Sequence, residues 1–233
     1  MTCTGNEMQR RNDALVVIPA YNEAATIGEI IRRTLPYADV CVVNDASRDN
    51  TESIVKSFEN VACLTHAQNT HIPQTLKDGM RYGVSQGYRY IVTMDAGLTH
   101  KPEELPRFLQ CSDCDLVLGV RTERQNVPLF RKIISRTANA VAKSVVGFQL
   151  DDCTNGFRCY SSSFLREAIG SLHSETYEIQ IETIKQALSR GFDIKEVPIT
   201  FVNRKRGKSK LTLVEVESYI SYILKTAAYG RNR

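Results

Sequence analysis

Two apolar runs in this chain stop abruptly in polar residues that carry carboxylates. The first is Val16-Val17-Ile18-Pro19-Ala20-Tyr21-Asn22-Glu23, and the second ends in Val42-Val43-Asn44-Asp45-Ala46-Ser47-Arg48-Asp49-Asn50-Thr51. Ionised Glu23 and Asp45 are acceptor-only groups, which suit ribose hydroxyls and the donor edge of a base. Near the C-terminus Arg204, Lys205, Arg206, Lys208 and Lys210 crowd five cations into seven residues. Such a cluster beside a carboxylate-lined crevice points to phosphate as a partner. The chemistry these residue types suit is recognition of a nucleotide sugar.

Residues 24–35, between the two runs, read as a helix, giving a strand-helix-strand unit with carboxylates at neighbouring strand ends. Ligands of an open parallel sheet bind at the carboxyl ends of its strands, so Glu23 and Asp45 are expected to face one crevice. The competing reading makes Asp45, Ser47 and Asp49 a turn that caps a helix at 51–58. Strands are expected at 15–18, 40–43, 61–65, 90–94, 115–120 and 195–202. Helices are expected at 24–35, 51–58, 75–85, 103–110, 130–146, 162–169, 178–189 and 214–228. The alternation predicts an α/β fold whose sheet is mostly parallel through its first half. Without repeats or a Pro/Gly-rich linker, 14–212 reads as one domain, between a flexible 1–13 segment and an amphipathic helix and tail at 213–233.

Composition narrows the field. The 233 residues are 42% hydrophobic and 24% charged, ordinary for a globular protein. A net charge of +4 is too small to imply nucleic-acid binding, and the basic cluster lacks interleaved aromatics that stack bases, so no nucleic-acid partner is expected. Seven cysteines, an odd number, with no export signal in the polar 1–13 segment, read as reduced thiols in the cytoplasm or at a cytoplasmic membrane face. Cys111-Ser112-Asp113-Cys114 has no second ligand pair at matching distance and reads as structural. No apolar run reaches 18 residues, so no transmembrane helix is expected. Segments 130–146 and 213–227 are amphipathic, and each reads either as a helix lying in a bilayer interface or as a core-packing helix with a solvated face.

The two opening motifs resemble the start of inverting glycosyltransferases of the GT-A fold. Later segments narrow the likeness to dolichyl-phosphate or polyprenyl-phosphate mannose or glucose synthases, in the short form without transmembrane helices. These are Met94-Asp95-Ala96-Gly97-Leu98-Thr99-His100-Lys101-Pro102, Asp115 to Arg121 ending in Gly-x-Arg, Asp152-Cys153-Thr154-Asn155-Gly156-Phe157-Arg158, and Phe201 to Leu211. The resemblance implies donor contacts from Pro19, Tyr21, Glu23, Asn44, Asp45 and Ala96. It implies catalytic roles for Asp95, Asp152, Arg121 and Arg204, and phosphate or acceptor binding by Arg121, Arg131, Ser135, Arg204, Ser209 and Lys210. It also implies Mg²⁺ or Mn²⁺ held by Asp95, with Thr99 as a polar neighbour.

The chain departs from the family pattern in three places. Asn44-Asp45-Ala46 replaces two aspartates and a glycine, Gly97 replaces the second metal aspartate, and Asn69-Thr70-His71-Ile72-Pro73-Gln74 replaces a glycine-containing turn. With Gly97, the ion is held by Asp95, donor phosphates and water, or basic side chains neutralise the diphosphate instead, or the chain only binds. The implied partners are a nucleotide-sugar donor, a polyprenyl or dolichyl phosphate, and a membrane surface or membrane-anchored subunit. A lipid monophosphate, with its second pKa near about 6, is already largely dianionic at neutral pH and needs little general base. Asp152 is then expected to orient sugar or acceptor. Two rivals remain: transfer to a soluble or polysaccharide acceptor with a general base such as Asp152, and a silent nucleotide-sugar-binding scaffold. Glu178 and Glu182, one turn apart, read either as facing substrate or as ordinary helix surface charge.

Overall fold

The computed structural model describes residues 2–3, 13–111, 113–127, 139–140, 150–176 and 178–203. Its centre is an eight-stranded sheet. The strands are β1 (Thr2–Cys3), β2 (Ala14–Ala20), β3 (Asp39–Asn44), β4 (Val61–Thr65), β5 (Tyr90–Thr93), β6 (Leu116–Gln125), β7 (Arg158–Ser161) and β8 (Ile194–Val202). Their spatial order is β1-β4-β3-β2-β5-β7-β6-β8. Four contacts are parallel, β3–β4, β2–β3, β2–β5 and β6–β8, whereas β1 and β7 run antiparallel to their neighbours. The parallel first half expected from the sequence is present. Two strands were not expected: the two-residue β1 is too short to carry a hydrophobic period, and β7, Arg-Cys-Tyr-Ser, has no apolar run like that of the equally short β5.

Helices cover both faces, which is why β2 and β3 read as unbroken apolar runs. Leu15 and Val17 of β2, with Cys41 and Val43 of β3, point into one core. That core is shared with α3 (His71–Ser85), α5 (Ser162–Ala168) and α6 (Ile179–Ser189). Val16, Ile18, Val40 and Val42 point the opposite way, against α1 (Ile27–Thr34), α2 (Thr51–Lys56) and α4 (Leu105–Leu109). This is the period-two alternation of a pleated strand. Helix α3 lies very close to the sheet: a Cβ at Gly79 would fall 2.2 Å from Val17 Cγ1, so only glycine fits there.

The observed α3 begins at His71, four residues before the expected 75. Helix α1 starts at Ile27 rather than 24, because the Glu23 carbonyl accepts the amides of both Thr26 and Ile27 and so ends the preceding turn. The expected helix at 130–146 falls almost wholly, and that at 214–228 wholly, outside the described residues. Among the described residues no helix is long and apolar enough to cross a membrane.

Candidate active site

The carboxyl ends of β3, β2 and β5 lie side by side, with Ala20 paired to Asn44 and Val17 to Thr93. The chain leaving each end stays tied to the sheet, since Asp45 N donates to Ala20 O (2.8 Å) and Met94 N to Val17 O (3.1 Å). Glu23, Asp45 and Asp95 thereby reach one cleft of about 290 Å³. Antiparallel β7 contributes by direction. Its N-terminal end meets the C-terminal end of β5, Arg158 opposite Thr93, so the 152–157 loop lands beside Asp95. The cleft is lined by Pro19, Tyr21, Ala96, Thr99, Arg121 and Asn155 among others.

Of the expected donor residues, Pro19, Tyr21, Glu23, Asp45 and Ala96 line this cleft. Asp45 is held at one oxygen: its Oδ1 accepts Thr70 N (2.7 Å) and Thr70 Oγ1 (2.9 Å) and lies 2.8 Å from His66 Nδ1. Asn44 points elsewhere. Its fully buried amide donates to Glu52 Oε2 (3.3 Å) and accepts Ser47 N (3.3 Å), on a neighbouring depression with His66 and Asn69. The turn reading also holds for Asp49, which accepts Thr51 N (3.0 Å) at the start of α2.

Asp95 extends into the cleft with its side chain 52% exposed. Thr99 Oγ1 donates to its Oδ2 (3.1 Å), so Thr99 orients the carboxylate. His100 is buried beneath it. His100 Nδ1 accepts Asp95 N (3.2 Å), which leaves Nε2 as the protonated nitrogen, donating to Asn155 Oδ1 (3.1 Å). Burial pushes the His100 pKa down, against the pull of Asp95, and keeps the ring neutral. Asn155 Nδ2 continues to Gly119 O (2.7 Å), so one relay joins the segment after β5 and the middle of β6 to the 152–157 loop. Among the described residues no three His, Cys, Asp or Glu side chains gather around a metal position. Asp95 alone fits an ion that takes most of its oxygens from phosphate and water.

Asp152 is not on the cleft wall. It lies behind Arg121 with its side chain 2% exposed, gripped by Arg121 Nε (2.6 Å) and Nη2 (2.7 Å). Asn139 Nδ2 (3.2 Å) and Thr154 Oγ1 (3.1 Å) donate to the same carboxylate. Burial pushes its pKa up, but the Arg121 hydrogen bonds and charge outweigh that and bring it down to about 2. Arg121 also donates to Thr154 Oγ1 (2.5 Å) and stacks over Phe201 at 5.6 Å. It is therefore a positioned guanidinium at the cleft edge, 14% exposed. Arg131, Ser135, Arg204, Ser209 and Lys210 lie outside the described residues.

Residues 15–170 match the sequence profile of Glycosyl transferase family 2. The chain belongs to that family. It is 35% identical over 216 residues to the undecaprenyl-phosphate mannosyltransferase of Micrococcus luteus, covering 85% of this chain and 87% of that protein. It is 31% identical over 233 residues to the polyprenol monophosphomannose synthase of Mycolicibacterium smegmatis, covering 93% and 88%. Among solved structures, glucosyl-3-phosphoglycerate synthase of Mycobacterium tuberculosis, in complex with Mn²⁺, UDP-glucose and phosphoglyceric acid, superposes with a TM-score of 0.69. That match has 20% identity and covers 92% of this chain and 79% of that one. The fold is GT-A, and the chain is a glycosyltransferase.

In this glycosyltransferase site the sequence reading missed the roles of Arg158 and Gln180 and left Glu178 and Glu182 between two readings. Arg158 is fully buried. It donates to Asn155 O (2.7 Å), Cys153 O (2.8 Å), Gln180 O (2.5 Å) and Thr183 Oγ1 (2.8 Å), pinning the 152–157 loop to α6. Gln180 lines the cleft from the start of α6. Glu178 and Glu182 are buried rather than at the helix surface. Glu182 accepts His173 N (2.8 Å) and Ser174 N (3.0 Å), and Glu178 accepts Thr176 Oγ1, so both tie the loop before α6. The Cys111 and Cys114 thiols donate to the carbonyls of Arg107 (3.6 Å) and Asp193 (3.1 Å), a structural use of both.

Proposed function

We propose that this glycosyltransferase moves a hexosyl group from a nucleoside-diphosphate donor to a polyprenyl or dolichyl phosphate at a membrane face, inverting the anomeric carbon. The names of the two relatives, each matched over most of its length, support the acceptor class. The observation that carries it is the Asp152–Arg121 pair. A carboxylate with a pKa of about 2, bonded bidentately to a guanidinium, is a poor proton acceptor at neutral pH. An acceptor that must lose a proton to Asp152 is thus disfavoured. A phosphate monoester arrives with its nucleophilic oxygen already ionised.

In this reading Glu23 and Asp45 face the nucleoside and Pro19, Tyr21 and Ala96 shape the wall around it. Arg121 meets a phosphate, with Arg131, Ser135, Arg204, Ser209 and Lys210 as further phosphate contacts assigned on their motifs alone. A phosphate oxygen of the acceptor attacks the anomeric carbon, the bond from that carbon to the diphosphate oxygen breaks in line, and the nucleoside diphosphate leaves. Positioning and charge neutralisation supply the acceleration. Asp95, oriented by Thr99, would hold Mg²⁺ or Mn²⁺, which would neutralise charge on the departing diphosphate. The amphipathic segments 130–146 and 213–227 are the proposed membrane contacts.

The test is transfer of radiolabelled sugar from GDP-mannose and UDP-glucose, separately, to polyprenyl phosphate in detergent, with Mg²⁺, Mn²⁺ or EDTA. Lipid-linked product with one donor, lost in EDTA, is expected. Transfer to soluble sugars but never to the lipid phosphate would refute the acceptor assignment.

A further inference from the structure

The segment leaving β4 wraps over Asp45. Thr70 N (2.7 Å) and Thr70 Oγ1 (2.9 Å) donate to Asp45 Oδ1, His66 Nδ1 lies 2.8 Å from the same oxygen, and Asn69 Nδ2 donates to the Asp45 carbonyl (3.3 Å). Thr70 gives its one hydroxyl hydrogen to Asp45, so His66 Nδ1, also 2.8 Å from Thr70 Oγ1, carries a hydrogen of its own. These contacts on the carboxylate all fall on Oδ1. Oδ2 is the oxygen they leave to a ligand in the cleft that Asp45 lines.

The grip is itself braced. The His66 and Asp45 side chains are buried, 5% and 6% exposed. On the far side of the ring, His66 Nε2 lies 3.3 Å from Asp78 Oδ2 on α3, without the alignment of a hydrogen bond. Gln74 Nε2 donates to both Asp78 oxygens (2.9 Å each), and Arg81 Nη1 donates to Oδ1 (3.2 Å). Between Thr70 and the rest of α3, His71 holds φ +64 although its side chain is exposed. Backbone strain of this kind persists where the surroundings over-determine it. Here the strained turn delivers the Thr70 amide and hydroxyl to one oxygen. Asn69, Thr70 and Gln74 all stand in the stretch that replaces the family's glycine-containing turn, so the departure has a use: it supplies the groups that fix Asp45 and its brace.

We propose that Thr70 and His66 are positioning residues for the donor's nucleoside. They saturate Asp45 Oδ1 and so present Oδ2 as a single, fixed acceptor to one N–H or O–H of the base or ribose. The inference rests on the nucleotide-sugar reading above and deepens it, adding two residues that act through Asp45. A carboxylate free to rotate must be ordered when the donor binds, and fixing it beforehand avoids that loss. The nucleoside is remote from the reacting carbon, so the gain is in donor binding and not in the chemical step.

The experiment titrates GDP and UDP, each with Mg²⁺, into the full chain by calorimetry and measures kcat and KM for transfer from the sugar form of the nucleotide that binds better. The proteins are wild type, Thr70→Val, Thr70→Ser, His66→Leu, His66→Asn and Asp45→Ala. Thr70→Val keeps the shape and the backbone N–H but loses the hydroxyl, and Thr70→Ser puts it back. His66→Asn keeps a nitrogen donor toward Asp45, which His66→Leu removes. Thr70→Val and His66→Leu are expected to weaken the nucleotide about tenfold, with a matching rise in KM for the donor and kcat unchanged. Thr70→Ser and His66→Asn should recover affinity to within about threefold of wild type. The positioning role is overturned if Thr70→Val lowers the melting temperature while its folded fraction binds as wild type does. Equal weakening by the two variants at either position, or a fall in kcat with KM unchanged, also overturns it. Asp45→Ala tests the underlying reading separately: unchanged nucleotide affinity there removes Asp45 from the nucleoside and takes this proposal with it. Weaker binding by Asp45→Ala but not by Thr70→Val refutes the positioning role alone. Failure of lipid transfer leaves the affinities readable.

Discussion

Replacing Asp152 by Asn removes the charge that holds Arg121 while nearly preserving shape. The carboxylate's ordinary value is 3.8 and its folded value about 2. A difference of nearly two pH units corresponds to about 2.5 kcal/mol of folded-state stabilisation at pH 7. Because the folded pKa is depressed, this contribution is complete above the unfolded value and fades as pH falls through the folded one. At pH 3 it should be about 1 kcal/mol smaller than at pH 7. Asn adds a second effect, as its NH₂ would face the Arg121 donors and leave the guanidinium unpaired, which extends the expected loss to as much as about 5 kcal/mol. Urea unfolding of wild type and Asp152→Asn, followed by circular dichroism at pH 7 and pH 3, reads both quantities. Equal stabilities at pH 7, or a gap that stays constant between the two pH values, would refute the reasoning. Donor binding and turnover on the same variant, corrected for fraction folded, separate this from general-base catalysis. Loss of a true base lowers the chemical step by about 10²–10⁴ with donor affinity intact.

Arg158→Lys keeps the charge but cannot reach four neutral oxygens from one nitrogen. With at least two acceptors abandoned in a buried site, the expected cost is about 3 kcal/mol, a fall in Tm of about 6–12 °C. A loss under about 1 kcal/mol in chemical denaturation would show that Arg158 is not the clamp. His71 opens α3 with φ +64 and an exposed side chain, a conformation glycine adopts without strain. Relief of that strain, less the greater freedom of glycine in the unfolded chain, makes His71→Gly more stable by about 0.5–1 kcal/mol, and a lower Tm would contradict this.

The strand ends that carry Glu23, Asp45 and Asp95 were legible because a parallel sheet covered on both faces demands long apolar runs, and such runs end visibly. The glycine-containing turn missing at 69–74 was also legible as an anomaly. The structure gives it a physical form in the positive φ of His71. Arg158 was not legible as a clamp. A lone arginine in a motif looks the same whether it faces solvent or sits among carbonyls, and only burial tells these apart. Asp152 was read as orienting substrate, whereas in the structure it orients Arg121, 31 residues away in sequence.

Sequence alone determined the α/β class, the order of most elements, and which acidic residues stand at the ends of parallel strands, because hydrophobic period and strand-end polarity are local properties. The tertiary structure decided how the 152–157 loop meets Asp95, why Arg121 is only partly free for phosphate, and where Gln180 sits. All three depend on β7, four residues long and antiparallel to both neighbours. Its direction is set by pairing with distant strands, and no local pattern in Arg158–Ser161 encodes that pairing.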